Sequence, residues 1–444
     1  MFLSSILGNP PRRFRGDATK AEAGALVGLI FLVCAFIPQP VVGDDLEAAI
    51  GLLEDARFAE ASELSLSILD KSPQGGPLYS SLMIVGITAM VQDHFEEASM
   101  YFSQANHEFP EKKGSLLLLG ILHFRHDRYA EAKRFLEEAG YLETKEIEDL
   151  IGLMGNRSPF VLASEGTAVQ VELGSYRGLP TVSVRINGIQ ANFLVDTGSE
   201  YVVIDPSITT TTSKSLLQAL SPNVSQSSWA IVDTLALRGL QIHNVPARIL
   251  DLSTMRAVTG EQILGILGAS FFYHFVNEFD FLNRRITLKP KIEAFGTQSG
   301  DPLMLASDYV PFATGTINGH QGPLIIDTGI QDYGVVIQEA TANELGVQVG
   351  RPSAALVEGG IAPVMGCSLG EVTVGGATYL SPKGGVARLN IPDYGFRILG
   401  MLGYASMEGS IITMDYANMR FSIQKRGQID PLNCVGGIIS PPFP

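Results

Sequence analysis

The sequence predicts a multidomain α + β chain, with an N-terminal α-helical repeat followed by an all-β body of two similar halves. Three observations carry this reading. The tripeptide Asp-Thr-Gly occurs twice, as Asp196-Thr197-Gly198 and Asp327-Thr328-Gly329, each time at the end of an apolar run. The residues around the two tripeptides repeat in the same order and at nearly the same intervals. Before them, a short segment with an aromatic followed by alanines recurs three times at helical-repeat spacing.

The duplication sets the β body and comes before any local assignment. Ile186-Asn187-Gly188 precedes Asp196 by the same interval as Ile317-Asn318-Gly319 precedes Asp327. Tyr201-Val202-Val203-Ile204 answers to Gly334-Val335-Val336-Ile337, with two residues inserted. Ile263 to Gly268 matches Ile398 to Gly403, and each is followed at equal distance by an Asp-aromatic pair, Asp280-Phe281 and Asp415-Tyr416. Runs such as Thr181 to Ile186 alternate with period two, and Gly, Asn and Pro interrupt the pattern at short intervals, which predicts strands and turns. Asn187-Gly188 and Asn318-Gly319 are hairpin-turn signals. Pro290 to Pro302 separates the copies.

The helical part has its own period. Arg57-Phe58-Ala59-Glu60-Ala61, His94-Phe95-Glu96-Glu97-Ala98 and Arg128-Tyr129-Ala130-Glu131-Ala132 place their aromatics 37 and 34 residues apart. Gly86 and Gly120 hold equal offsets upstream, and small residues there let paired helices approach closely. On these positions the segment resembles the tetratricopeptide repeat, a helix pair of about 34 residues. The resemblance implies a shallow concave groove for a partner protein or peptide; a plain helical array without a ligand is the other reading.

Charge, cysteines and histidines narrow the function. The net charge of −15 argues against a general affinity for nucleic acid. The three cysteines lack zinc-site spacing. Cys367 and Cys434 read equally as one bridge or as two free thiols. His123 and His126 read as surface residues of the helical repeat, with no acidic ligand motif nearby. No metal or cofactor is called for. Arg12, Arg13, Arg15 and Lys20 precede an apolar stretch, Ala23 to Ile37, and small residues before Asp44. That order is a secretory signal, or alternatively a short membrane anchor. It predicts a periplasmic, extracellular or inner-membrane-anchored chain, whose contact with membrane is this segment alone.

The resulting division is 1–43, signal or anchor; 44–142, helical repeats; 143–164, linker; 165–290, first β lobe; 303–426, second β lobe; and 427–444, tail.

An Asp on a tight turn after a buried strand is held stiffly. If two homologous lobes pack about a pseudo-two-fold axis, Asp196 and Asp327 meet there. Two adjacent carboxylates cannot both ionise cheaply, so the pair shares a proton and can act as base and acid together. In this scheme Gly198 and Gly329 let the backbone pass close to the opposite copy, and Thr197 and Thr328 donate hydrogen bonds across the junction.

At these residues, over roughly 165–425, the sequence resembles the pepsin–retropepsin family of aspartic proteases. The resemblance implies an all-β bilobal acid-protease fold, Asp196 and Asp327 as catalytic dyad, a protein or peptide substrate, and no cofactor. It implies also that an apolar-apolar-Gly segment threads beside each catalytic loop: Ile263-Leu264-Gly265 or Ile266-Leu267-Gly268 in the first lobe, Ile398-Leu399-Gly400 or Met401-Leu402-Gly403 in the second. The family usually places Ser, Thr or Ala after Asp-Thr-Gly, with a hydroxyl supporting the carboxylate. Ser199 fits; Ile330 does not, which should favour the protonated form of Asp327. Trp229 lies in the interval where the family carries a substrate-covering flap, and reads either as a substrate contact or as a core aromatic. Glu200 reads as a solvated loop charge. A decayed protease kept as a peptide-binding scaffold is the rival to an active enzyme.

Overall fold

The computed structural model describes residues 43–140, 145–163, 168–176, 178–211, 228–259, 262–291, 299–357, 360–387 and 394–425. The export segment (but for its last residue), the C-terminal tail, Cys34 and Cys434 lie outside them. Among the described residues no helix is long and apolar enough to cross a membrane.

Among the described residues seven helices come first: α1 (Asp44–Glu54), α2 (Phe58–Asp70), α3 (Gly76–Val91), α4 (Phe95–Glu108), α5 (Gly114–Arg125), α6 (Tyr129–Ala139) and α7 (Lys145–Met154). The first six form three hairpins. The recurring aromatic opens the second helix of each, and the alanine three residues on, Ala61, Ala98 or Ala132, is fully buried. One left-handed residue makes each interhelical turn: Ala56 (φ 57°), Asp93 (φ 59°) and Asp127 (φ 61°). Asp tolerates that conformation better than most residues. A Cβ on Gly86 would stand 2.4 Å from the Phe102 ring, and one on Gly120 2.5 Å from Leu136. Glycine is therefore what lets the two helices of each later hairpin touch.

The first helices of the later hairpins have no solvent face. α5 is buried at every position, and α3 from Tyr79 to Val91. A helix apolar all round needs cover on both sides. One side is covered by sibling helices. At the end of α5 Arg125 reaches the β body and donates to Ser307 O at 2.6 Å, and from the neighbouring α2 Phe58 packs edge-on to Phe396 at 5.0 Å and near Phe312 at 6.0 Å.

Among its described residues the β body has three sheets. An eight-stranded sheet holds the first copy, and a ten-stranded sheet the second. A six-stranded sheet takes strands from both and joins them. Its centre is the antiparallel pair Phe275–Asp280 and Ser410–Asp415, with Val276 opposite Asp415. Each copy starts with a hairpin, Leu179–Ile186 with Ile189–Val195 and Pro311–Ile317 with His320–Asp327. Both turn on Asn-Gly with positive φ at each residue, as a two-residue turn requires. This architecture is an N-terminal helical region followed by a β-rich, protease-like body.

Residues 143–164 do more than link. The apolar face of α7 buries Ile147, Leu150, Ile151 and Met154, and Glu146 pairs with Arg248 of the first lobe at 2.9 Å. Val161 and Leu162 then add an edge strand to the first sheet, opposite His243 and Ile242.

His123 and His126 are not surface residues. His123 is 9% exposed between Phe95 and Phe135. His126 stands 3.1 Å from the Asp93 carboxylate, which also accepts from Tyr273 Oη at 2.9 Å and faces Lys291 Nζ at 3.3 Å. Burial alone would raise Asp93. The bond to His126 and the charges of Lys291 and Arg125 instead hold it well below the usual carboxylate range. Nearby, Asp127 pairs with His274 at 2.9 Å. The two turn aspartates thus fasten the helical array to the first lobe. Alternation and period could not show this, because the partners lie far along the chain.

Candidate active site

Each Asp-Thr-Gly stands where a central strand leaves its sheet. Ile189–Val195 runs parallel to Ile263–Leu267, with Val195 opposite Leu267, and Asp196 N–H donates to Leu267 O at 3.1 Å. His320–Asp327 runs parallel to Gly400–Gly403, with Asp327 opposite Gly403. Of the alternative apolar-apolar-Gly segments, those ending at Gly268 and Gly403 lie beside the Asp-Thr-Gly loops. A Cβ on Gly268 would sit 2.1 Å from Tyr201 O, and one on Gly403 2.2 Å from Tyr333 O, so only glycine fits beneath either loop.

The two loops are interlocked. Thr197 N–H donates to Thr328 Oγ1 and Thr328 N–H to Thr197 Oγ1, each at 3.1 Å. The hydroxyls pass on into the opposite strands, Thr197 Oγ1 to Ile326 O at 2.6 Å and Thr328 Oγ1 to Val195 O at 2.8 Å. Both threonines are fully buried. The lattice is closed under exchange of the copies, as a pseudo-two-fold demands.

Above it the carboxylates face each other. A Cβ on Gly198 would lie 2.3 Å from the Asp327 carboxyl carbon, and one on Gly329 2.4 Å from that of Asp196. Each carboxylate therefore rests on the opposite glycine, and the two are within hydrogen-bond reach of one another. Both side chains remain partly exposed. Asp196 Oδ1 accepts from Gly198 N–H at 3.0 Å and Ser199 N–H at 3.2 Å; Asp327 Oδ1 accepts from Gly329 N–H at 2.8 Å. Burial raises both acids, and the charge of Asp196 raises Asp327 further. The pair therefore shares one proton, with Asp327 the more strongly raised of the two.

Ser199 does not support the carboxylate through its hydroxyl. That hydroxyl donates to Tyr201 O at 3.3 Å, and the backbone N–H reaches Asp196 instead. The Ile330 N–H supports Asp327 in the same way. Loss of a side-chain hydroxyl at Ile330 thus removes nothing from the dyad. Asp327 is raised because it is desolvated next to a charged neighbour.

Trp229, on the strand Ser228–Leu237, is 5% exposed. It packs edge-on to Tyr201 at 4.8 Å with the Arg248 guanidinium 5.4 Å from its ring. It is a core aromatic beneath the first Asp-Thr-Gly loop. In the second copy the hairpin Val349–Val357 with Gly360–Ser368 occupies the flap interval; the matching residues of the first copy fall largely at 212–227, outside the described residues.

Three further side chains lie around the first Asp-Thr-Gly loop, of which the sequence reading considered only Glu200. Asp308, 4% exposed, accepts from Tyr201 Oη at 2.7 Å. Glu200, half-buried rather than solvated, accepts from Asp308 N–H at 3.2 Å. Tyr394 is pushed upward by burial first and then by the charges of Glu200 and Asp327, so its hydroxyl lies in the field of both. Only Glu200 had a sequence signal, its place one residue beyond the motif serine.

Among the described residues no group of three His, Cys, Asp or Glu side chains could hold a metal ion. A cavity of about 480 Å³ lies between the first helical hairpin and the second lobe, lined by Arg57, Glu60, His320, Glu344 and Arg397 among others; the dyad is not part of it.

Residues 182–271 match the model of the aspartyl protease family. Together with the crossed parallel strands and the paired loops, that match gives the β body an aspartic protease fold. Among solved structures, a retropepsin-like aspartic protease from Rickettsia conorii is 14% identical, with a TM-score of 0.22, over 30% of this chain and 95% of that one. Basic 7S globulin from soybean is also 14% identical, with a TM-score of 0.35, over 60% and 95%. No curated protein sequence matches the chain.

Proposed function

We propose that this chain is an aspartic endopeptidase. The observation that carries the reading is the reciprocal seating of Asp196 on Gly329 and of Asp327 on Gly198, which leaves one proton between two partly exposed carboxylates. In the proposed reaction a water held by both acids loses a proton to Asp196 and its oxygen adds to the peptide carbonyl carbon. Asp327 gives its proton to the carbonyl oxygen. The tetrahedral species then collapses: Asp196 passes its proton to the amine nitrogen, the C–N bond breaks, and a hydroxyl proton returns to Asp327. The cycle closes with no metal and no covalent intermediate.

The helical array was read as a recruiting module. With α5 and most of α3 buried, a recruiting surface would draw on the exposed faces of α1, α2, α4 and α6. Export, with a periplasmic, extracellular or membrane-anchored location, is proposed from residues 1–43 and is tested by fractionating cells that produce the full chain.

Activity is tested with a diverse peptide library read by mass spectrometry, beside binding of a statine-type transition-state mimic. Cleavage that is blocked by the mimic and lost in Asp196→Asn supports the reading. Failure of the mimic to bind, with no cleavage, would overturn it and leave the peptide-binding scaffold, since tight binding of such a mimic needs a competent dyad.

A further inference from the structure

The cavity of about 480 Å³ beside the first helical hairpin takes one wall from the array and the other from the second lobe. Ligand sites commonly have that size and that place, at a junction between domains. Its floor is apolar and buried, with Phe58 at the head of α2 and Met304, Pro323 and Leu399 from the lobe. Leu399 N–H donates to Pro323 O at 2.9 Å, and Arg397 N–H to Glu54 O, at the end of α1, at 2.8 Å. Backbone thus ties the two walls together. The rim is ionic. Arg57 Nε donates to Glu60 Oε1 at 2.8 Å, and the charge of Asp55 acts on the same guanidinium. From the lobe, Arg397 pairs with Glu344. These four paired side chains are about half exposed, so they can turn toward a ligand without leaving a buried charge behind.

The charges choose the ligand. Among the lining residues three carboxylates, Asp55, Glu60 and Glu344, stand against two guanidiniums, with His320 on the lobe side. The first hairpin is more one-sided: residues 44–70 hold eight acids and one base, Arg57. That field repels an incoming carboxylate and draws in an ammonium or guanidinium. The floor asks for an aliphatic or aromatic side chain beside the cation. We propose that the cavity is a docking site for a peptide segment in which a basic residue stands next to an apolar one. The apolar side chain covers Phe58 and Leu399, and the cation lies against Asp55 and Glu60.

The site is built on the strands that lead to the second Asp-Thr-Gly loop. Pro323 belongs to His320–Asp327, and Leu399 leads into Gly400–Gly403, which runs parallel to it. Seven steps of strand separate His320 from Asp327, a span of about 23 Å. A substrate docked at the cavity would extend by at least about seven residues to bring a bond to the dyad. Tethering of this kind raises the effective concentration of the scissile bond, so its gain falls on KM rather than on kcat. The role in substrate capture rests on the endopeptidase reading; the docking does not.

Docking is tested on the Asp196→Asn chain, chosen so that no peptide is consumed, at about 0.15 M salt. Fluorescence anisotropy follows three labelled hexapeptides that alternate leucine with lysine, leucine with glutamate, or serine with lysine. The leucine–lysine peptide is expected to bind, and the other two about tenfold or more weakly. Asp55→Lys with Glu60→Lys should weaken the leucine–lysine peptide by about tenfold or more. Glu63→Lys with Asp70→Lys reverses the same charge on exposed positions of α2 outside the cavity and should leave binding within about twofold. Equal losses in the two double variants would reduce the attraction to net charge and overturn the site, as would failure of the leucine–lysine peptide to bind. Should the first double variant not fold, His320→Trp, which fills the cavity from an exposed position, carries the comparison. Displacement of the peptide from the native chain by the statine-type mimic would place it in the cleft and also overturn the site. Substrate capture is read on the native chain with a cleavable peptide that carries the leucine–lysine segment about seven residues from its scissile bond. Asp55→Lys with Glu60→Lys should raise KM about tenfold and leave kcat in place. An unchanged KM would overturn the capture role. A chain that cleaves nothing would defeat the endopeptidase and leave docking to be judged by anisotropy alone.

Discussion

The two lobes carry the same interlocked loop, yet they are not equivalent. The buried threonines, the glycines under the carboxylates and the strand crossings correspond one for one. The asymmetry lies in what stands next to each Asp. The first lobe has Ser199, Glu200 and Tyr201; the second has Ile330, Gln331 and Asp332. Backbone N–H groups do the work at the carboxylates in both, so the serine-for-isoleucine difference leaves the dyad supported on each side. The glutamate-for-glutamine difference is the one with an electrostatic consequence. Symmetry here is kept by backbone and packing, and broken by charge.

The largest effect should come from breaking the pair itself. Asp196→Asn or Asp327→Asn is expected to lower kcat by about 1,000-fold, because general acid and base chemistry both pass through these groups. The two variants should part in stability. Asp327 titrates well above its unfolded value, so the native chain is expected to lose stability as pH rises from about 4. Asp327→Asn should flatten that loss, as read by the unfolding midpoint at a series of pH values. A native midpoint independent of pH would contradict the upward shift of Asp327.

The helical array offers a contrast of another kind. Beside the aromatic packing of Phe58, its hold on the β body includes buried charge, where the two Asp-Thr-Gly loops hold each other by backbone and hydroxyl. Arg125 is 1% exposed; it donates to Met90 O and Ser307 O, each at 2.6 Å, and lies 3.7 Å from Asp93. Arg125→Met would take from Ser307 O its donor and from the Asp93 carboxylate one of its neighbouring charges, while Met90 O keeps the Asp93 N–H. The expected cost is about 3–5 kcal/mol in unfolding free energy. A cost near zero would mean that the array sits on the lobes without supporting them.

These cases show what the sequence could disclose. The Asp-Thr-Gly copies were legible because the geometry leaves no choice of residue: Gly198 and Gly329 underlie carboxylates, and Thr197 and Thr328 fill a closed lattice. Helical hairpins were legible because Phe58, Phe95 and Tyr129 recur at one place in each. Asp308, Tyr394 and Arg125 were not, since their partners lie on other elements and no local pattern marks them. Arg125 did carry one sign. It ends a helix whose preceding residues from Leu116 are apolar but for Gly120 and His123, so it has no polar face to occupy. Trp229 was ambiguous because a flap aromatic and a core aromatic look alike until Tyr201 is seen against the ring.

Between the lobes, the glycines give the next test. Gly329→Ala and Gly198→Ala each put a methyl group where the opposite carboxylate now lies. Overpacking of this kind costs about 1–3 kcal/mol. The pair should also be pushed apart, so that kcat falls more than KM rises. Equal losses in both variants would express the pseudo-two-fold. A much smaller loss in Gly198→Ala would show that Asp327, the more strongly raised acid, yields more easily than Asp196.

Ser199→Ala should have the smallest effect and tests the symmetry most finely. Its hydroxyl donates at 3.3 Å to Tyr201 O, a long bond within its own loop, while its N–H, which alanine keeps, reaches Asp196. The expected loss is about 1 kcal/mol of stability or less. The acid limb of kcat/KM should stay in place, because the Asp196 carboxylate keeps both of its backbone donors. A shift of that limb toward higher pH would restore the hydroxyl as a support of the charge. It would also make the isoleucine of the second lobe a real deficit, with the two acids differing for a reason that lies in their neighbours rather than in their shared proton.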